Sequence, residues 1–287
     1  MEGDYSIERL DFSNSYDMHR LVALQNAVYK GAHIFTDDLF KYWYLDNPNG
    51  RVISFNAICD DKIAAHYAII PIQMEIEGCV RDGALSMATV THPDHQGKGL
   101  FRKLAKITYE AAKNEGREFV IGVANANSFP GFIKHLGFYE VGQLDVLYGY
   151  RDGISPYSRK DFKVHWDKDA LLWRVNRPGQ YYQRNDGIFG FYPLWKLKRC
   201  PLVHTYLGTI PSELTSNITI SKAKKWLRPF ILYVGLGSNA KDLGYHNVPS
   251  FIKHSPFHLI FLDLTDSKLP KISKDNVFFQ LMDFDVA

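Results

Sequence analysis

The stretch Val90-Thr91-His92-Pro93-Asp94-His95-Gln96-Gly97-Lys98-Gly99-Leu100 combines residue types that can hold an anion. Two glycines, placed between a β-branched strand end and an amphipathic run, let successive backbone N–H groups turn toward one point. At a helix start those amides are unpaired and the peptide dipoles favour negative charge, which suits a pyrophosphate. Lys98, Arg102 and Lys103 add cations in the same place. Spacing excludes two nucleotide motifs. The chain has no GxxxxGK[ST] segment, and Gly97-Lys98-Gly99 lacks the third glycine of the dinucleotide fingerprint. Taken alone, the two glycines favour a plain loop before a helix over an anion site.

The elements that must position this turn follow from periodicity. Tyr5 to Leu10 reads as a strand, and Ser15 as the N-cap of a helix to about Tyr29 with Met18, Leu21, Leu24 and Val28 on one stripe. Thr36 caps a second helix from Asp37 to Tyr44, ended by Asn47-Pro48-Asn49-Gly50. A meander follows: Val52 to Cys59, Ile63 to Ile70, an interruption at Pro71, Gln73 to Ile76, then Ala84 to Thr91. The helix after Gly99 carries Leu100, Leu104, Ile107 and Ala111 on one face. Phe119 to Val123 is a short buried strand, Ser128 caps a helix ending at Gly137, and Phe138 to Tyr150 reads as one long strand.

Arg151-Asp152-Gly153-Ile154-Ser155-Pro156 is a reasonable exit from this unit, giving one domain over residues 1–150 and a second, smaller one over 151–287. Strands are expected at Val203 to Gly208, Phe230 to Val234, Leu259 to Leu264 and Val277 to Leu281, so the whole reads as mixed α/β (α+β). Trp43…Pro48 echoes Trp173…Pro178, each after an Asp-led helix start. A degenerate second copy of the first unit accounts for this echo, and chance recurrence accounts for it as well.

Composition narrows the class. Lys+Arg number 34 against Asp+Glu 31, too balanced for a nucleic-acid protein. Cys59, Cys79 and Cys200 are odd in number and far apart, which argues against a disulfide framework or a metal cluster and for a reducing, cytoplasmic setting. Met1-Glu2-Gly3-Asp4 has no signal-peptide character, and the longest apolar runs are too short to span a bilayer.

With these residues in view, the run Gln96-Gly97-Lys98-Gly99-Leu100-Phe101 resembles the acyl-CoA signature of the GNAT superfamily, Gln/Arg-x-x-Gly-x-Gly/Ala, with Phe101 where the family has a small residue. Asn125-Ala126-Asn127-Ser128 followed by Phe132-Ile133-Lys134-His135-Leu136-Gly137-Phe138 resembles that family's Asn-x-x-Ala and Tyr-x-x-Leu-Gly-Phe segment. The resemblance covers residues 5 to 150 and implies a GNAT fold and an acyl-CoA-dependent N-acyltransferase. It further implies that the strands Ala84 to Thr91 and Phe119 to Asn125 splay apart, that pantetheine pairs with Thr89 and Thr91, and that the pyrophosphate sits on Gln96, Gly97, Lys98, Gly99, Leu100 and Phe101. Asn125 and Ser128 would orient the donor. The acceptor amine would attack the thioester directly, against a backbone oxyanion donor. The family's acid, a Tyr, aligns with Ile133, so His66 and Asn127 stand as the candidate catalytic residues. No metal is implied.

The Trp43 segment and the closing Phe278 to Asp285 run are similar to a two-domain branch that acylates nucleotide-linked amino sugars, typically dTDP-linked, for bacterial surface polysaccharides such as lipopolysaccharide. Asp37, Trp43, Tyr44, Trp173 and Tyr181 are then the candidate acceptor contacts, the aromatics by stacking on a nucleobase. Asp283 could return to an interdomain cleft, although a frayed edge strand is the simpler expectation. Two other readings stay open: an acyltransferase for an amino acid, peptide or antibiotic amine, and a non-catalytic acyl-CoA sensor. Oligomeric state is open.

Overall fold

The computed structural model describes residues 4–29, 35–151, 153–155, 160–180, 182–184, 191–197, 203–215, 220–222, 230–249 and 255–284. The first half runs β1 (Ser6–Glu8), α1 (Ser15–Val28), α2 (Asp37–Tyr44), β2 (Ile53–Cys59), β3 (Lys62–Ile76), β4 (Cys79–Thr91), α3 (Leu100–Asn114), β5 (Phe119–Ala124), α4 (Phe129–His135), β6 (Tyr139–Gln143) and β7 (Asp145–Gly149). The second half runs β8 (Phe162–Val164), α5 (Lys168–Val175), β9 (Tyr182–Arg184), β10 (Phe191–Leu197), β11 (Val203–Pro211), β12 (Ser221–Lys222), β13 (Phe230–Leu236), β14 (His246–Asn247), β15 (His258–Asp263), β16 (Val277–Gln280) and α6 (Leu281–Phe284). The class is mixed α/β, as the periodicity indicates.

Helix starts follow their caps. Thr36 accepts from the Leu39 amide at the head of α2, as expected, but α1 is capped by Asn14, whose side chain accepts from Tyr16, and not by Ser15. In α3 the buried face is Leu100, Leu104, Ala105, Thr108, Tyr109 and Ala112, about a quarter of a turn from the expected stripe; Ile107 and Ala111 lie at its margin. Tyr109 and Thr108 go inside because their hydroxyls find partners there, Tyr67 and the Leu104 carbonyl.

Pro71 does not interrupt β3. It lies in the gap between β2, which ends opposite Ile69, and β8, which begins opposite Met74, so its missing N–H falls on a locally unpartnered edge. One face of the first-half sheet packs α1 and α2 through Leu21, Leu24, Phe40 and Trp43. The other packs α3 and α4 through Leu100, Leu104, Tyr109 and Phe132.

The second half repeats the wiring of the first. The strands β2, β3, β4 and β5 pair antiparallel, antiparallel, then parallel. So do β9, β10, β11 and β13. Each set follows the helix that carries the Trp…Pro echo, and these two helices pack together: the Tyr42 and Trp173 rings stack at 4.6 Å and Trp173 donates to the Tyr42 carbonyl.

The halves also exchange strands. The long strand expected over 138–150 is two: β6 pairs with β15, whereas β7 crosses to pair with β13. The break falls at buried Leu144, whose amide donates to the Phe257 carbonyl. In return β15 flanks β5 of the first half. The hydrogen-bonded sheet thus runs across the domain exit expected at 151–156.

Candidate active site

Parallel pairing of β4 with β5 ends at Ser86 opposite Gly122. Beyond that pair the strands part, and the opening is a cleft of about 660 Å³. It is lined by Met87 to Thr91 on one side and by Val123, Asn125, Asn127 and Ser128 on the other, with His95 to Phe101 across its mouth. All the residues expected to hold the donor thus come together: Thr89, Thr91, Gln96, Gly97, Lys98, Gly99, Leu100, Phe101, Asn125 and Ser128, with Asn127 beside them.

The geometry of the mouth can hold an anion. Pro93–His95 forms a single 3₁₀ turn, then Gly97 and Gly99 take φ of 74° and 72°, the left-handed region that other residues enter at a cost. Gly99 is the N-cap of α3 and offers no side-chain cap, so the first amides of a 15-residue helix are left for a ligand. Gln96 ties the turn to the strand end by donating to the Thr91 carbonyl at 3.3 Å. Lys98 Nζ is held by the Tyr5 hydroxyl at 2.8 Å, and that hydroxyl meets His95 Nδ1 at 2.7 Å. Burial, then the Lys98 charge, lowers the His95 pKa. Tyr5 and His95 were not among the expected site residues; a long-range strand edge brings Tyr5 to the turn.

Inside the cleft, β4 bulges. Its register against β3 slips between His66, opposite Val90, and Ala68, opposite Met87, so Tyr67 faces both Ala88 and Thr89. Ala88 has φ of 51°, unusual for a residue with a Cβ. Its carbonyl accepts from Gln25 Nε2 at 2.8 Å, and Gln25 is fully buried on α1. A bulge has no local sequence signal, because the register of two distant strands creates it.

Asn125 and Ser128 are absorbed in the turn before α4. The Asn125 carboxamide accepts from the Asn127 and Ser128 amides, and the Ser128 hydroxyl donates to the Asn125 carbonyl. α4 therefore starts under Asn125, and Ser128 makes no side-chain cap bond.

The remaining candidates lie elsewhere. His66 is 1% exposed and does not line the cleft; Nδ1 meets the Asn56 carboxamide oxygen at 2.7 Å and Nε2 meets the Tyr44 hydroxyl at 2.8 Å. Burial pushes its pKa down to about 3, so it is a neutral core imidazole with both nitrogens engaged, and the catalytic role expected for it is corrected. Trp43 and Tyr44 are buried in the aromatic core with Phe40, closed to any nucleobase. Asp37 pairs with His19 on the surface. Trp173 lines a separate cavity of about 530 Å³ between α2 and α5, with Asp38, Lys41 and Asp169. Tyr181 and Cys200 lie outside the described residues. Asp283 is not on a frayed end: it is buried, accepts from the Gln280 amide and the Trp166 indole, and burial raises its pKa to about 7.

These features can be compared with known proteins. Residues 10–142 match the model of the acetyltransferase (GNAT) domain. A search of curated proteins finds no match. Among solved structures, a probable N-acyltransferase from Enterococcus faecalis is similar with a TM-score of 0.61 at 10% identity, over 91% of this chain and 73% of that one. The N-myristoyltransferase of Saccharomyces cerevisiae, solved with myristoyl-CoA, is similar with a TM-score of 0.60 at 10% identity, over 97% and 84%. A tandem GNAT protein from the clavulanic acid biosynthesis pathway gives 0.53 at 10% identity, over 92% and 100%. At such identities the likeness is one of fold. Family model, fold and cleft agree on a GNAT domain over residues 10–142, set in a two-unit, GNAT-like arrangement. Among the described residues no helix is long and apolar enough to cross a membrane.

Proposed function

We propose that the cleft between β4 and β5 holds acyl-CoA, with its pyrophosphate on the α3 amides, and that the acyl group passes to the amine of a nucleotide-linked, dTDP-type amino sugar. The observation that carries the donor side is the parting of the strands beyond Ser86 and Gly122, with an uncapped helix at the mouth. The pantetheine amides pair with the freed edge of β4 at Thr89 and Thr91. The amine attacks the thioester carbonyl, and an amide of the Ala88–Thr89 bulge stabilises the oxyanion. Much of the acceleration then comes from alignment of amine and thioester.

The acceptor class is supported by the ionisable groups that line the cleft. Among the described lining residues there is no carboxylate, and the imidazole present, His95, is tied to Tyr5 at the phosphate turn. A lysine-like amine would need a base there. A sugar amine, made less basic by neighbouring ring oxygens, is partly neutral at cellular pH and needs less help. The likeness of the Trp43 and C-terminal segments to sugar N-acyltransferases points the same way.

The test is turnover. Purified protein is incubated with a panel of acyl-CoAs and dTDP-amino sugars, thiol release is followed, and products are weighed by mass spectrometry. Sugar acylation is expected. Turnover confined to amino acids or peptides would refute the sugar acceptor, and tight CoA binding without turnover on any amine would favour a sensor, the reading that Ile133 in place of a tyrosine encourages.

A further inference from the structure

At the apex of the cleft, where β4 and β5 last pair, stands Ser86. Its hydroxyl meets the Tyr67 hydroxyl at 2.9 Å, and Tyr67 meets the Tyr109 hydroxyl at 2.5 Å. Tyr67 is 0% exposed and Tyr109 is 7% exposed, so the row of three hydroxyls runs from the cleft into the core under α3.

The direction of the row can be worked out. Each hydroxyl has one proton to donate. Tyr109 has Tyr67 as its hydrogen-bond partner among the described residues, so its buried proton must go there. Tyr67 accepts that bond and gives its own proton to Ser86. Ser86 accepts from Tyr67 and is left with a proton that neither tyrosine can take. It points to the remaining side, the cleft. Burial pushes Tyr67 up to about 12 and Tyr109 well above its ordinary value, so both stay protonated and hold this polarity at any physiological pH.

Two of the other hydroxyls along the walls are spent. Thr89 Oγ1 donates to the Met87 carbonyl and Ser128 Oγ to the Asn125 carbonyl. α4 contributes Gly131 and Phe132 to the lining, neither of which donates from a side chain. From Thr91 to Ser86 the strand advances about 16 Å, comparable to an extended pantetheine arm anchored at the mouth.

We infer that Ser86 donates a hydrogen bond to the sulfur of the departing coenzyme A, with Tyr67 and Tyr109 as positioning residues that fix its direction. The inference rests on the donor side of the function proposed above and is independent of which amine accepts. In the step, the amine nitrogen forms the C–N bond, the C–S bond breaks, and its electron pair stays on sulfur. Ser86 stabilises that charge without giving up its proton; the proton that finally neutralises the thiolate leaves the attacking nitrogen. A net transfer from either tyrosine would be uphill, since both are weaker acids than a thiol.

Because a hydroxyl that stabilises thiolate must also lower the thiol pKa of bound free CoA, the test needs no acceptor. Thiolate absorbance is titrated for CoA bound to wild-type protein and to Ser86→Ala and Tyr67→Phe, with desulfo-CoA complexes as blanks. Tyr29, His95 and Lys98 also line the cleft and are common to every variant. Ser86→Ala is expected to raise the bound thiol pKa by about one unit, a tenfold change. Tyr67→Phe, which frees Ser86 to turn, gives a smaller rise, and Ser86→Thr restores the wild-type value. Desulfo-CoA affinity stays within about twofold throughout. Equal thiol pKa values in wild type and Ser86→Ala, with CoA bound in both, would overturn the inference; failure of wild type to bind CoA would overturn the donor assignment itself.

Discussion

The chain builds the same strand junction twice and leaves it open once. In the first unit, parallel β4 and β5 separate after Ser86 and Gly122, and the gap stays clear to the turn at Gly97 and Gly99. In the second, parallel β11 and β13 separate after Tyr206 and Tyr233. There the C-terminal segment enters: β16 pairs with β13 at Gly235 and Leu236, and the Gln280 carboxamide accepts from the Thr209 amide at 2.7 Å. Met282 packs so close to Gly208 that a Cβ there would lie 2.5 Å from its sulfur. The chain's own side chains thus fill the second junction and satisfy its strand edge. Asp283, held by the Gln280 amide and the Trp166 indole, locks α6 beneath it. A strand junction becomes a ligand site only if nothing in the same chain completes its hydrogen bonds.

The largest way to break this contrast is at the open junction. Gly99→Asp forces a carboxylate-bearing residue into a φ of 72° at the anion site. CoA affinity should fall by about a hundredfold or more in calorimetry, and unchanged affinity would refute the placement of the pyrophosphate. At the closed junction, Met282→Ala should cost about 2–4 kcal/mol of stability in urea unfolding and leave CoA stoichiometry at one per chain. A second equivalent bound by wild-type protein would end the comparison.

A third prediction concerns His66, buried behind the open junction. Its folded pKa of about 3 lies below the ordinary value of 6.5, so the unfolded chain takes up a proton first as pH falls. The stability held by the neutral ring is complete above about pH 6.5 and is lost progressively toward pH 3. Between pH 7 and 5 unfolding should become easier by about 2 kcal/mol, and a His66→Gln variant should show a flatter profile. The smallest effect is expected for Ala88→Gly. It relieves a φ of 51° and should change stability by less than about 1 kcal/mol, while loosening the bulge enough to lower kcat more than it alters KM.

Much of the first unit was legible because its signals are local. Thr36, the glycines at 97 and 99 and the apolar face of α1 act within one or two turns of chain. What escaped has long-range causes. His66, Trp43 and Tyr44 have residue types suited to a site, but packing against Asn56, Phe40 and each other decides that they are core. The bulge at Ala88 needs the β3 register, the break at Leu144 needs β13 and β15 as competing partners, and the burial of Asp283 needs Trp166 from 117 residues away.

By itself the sequence determined the glycine turn and the order of elements that carries it, and through them the donor class proposed above, since backbone amides at a glycine turn depend on few neighbours. Tertiary structure alone decided which of two like junctions stays open, where β4 bulges, and which hydroxyl faces the cleft. Those depend on how distant strands share hydrogen bonds, and no window of residues contains that information.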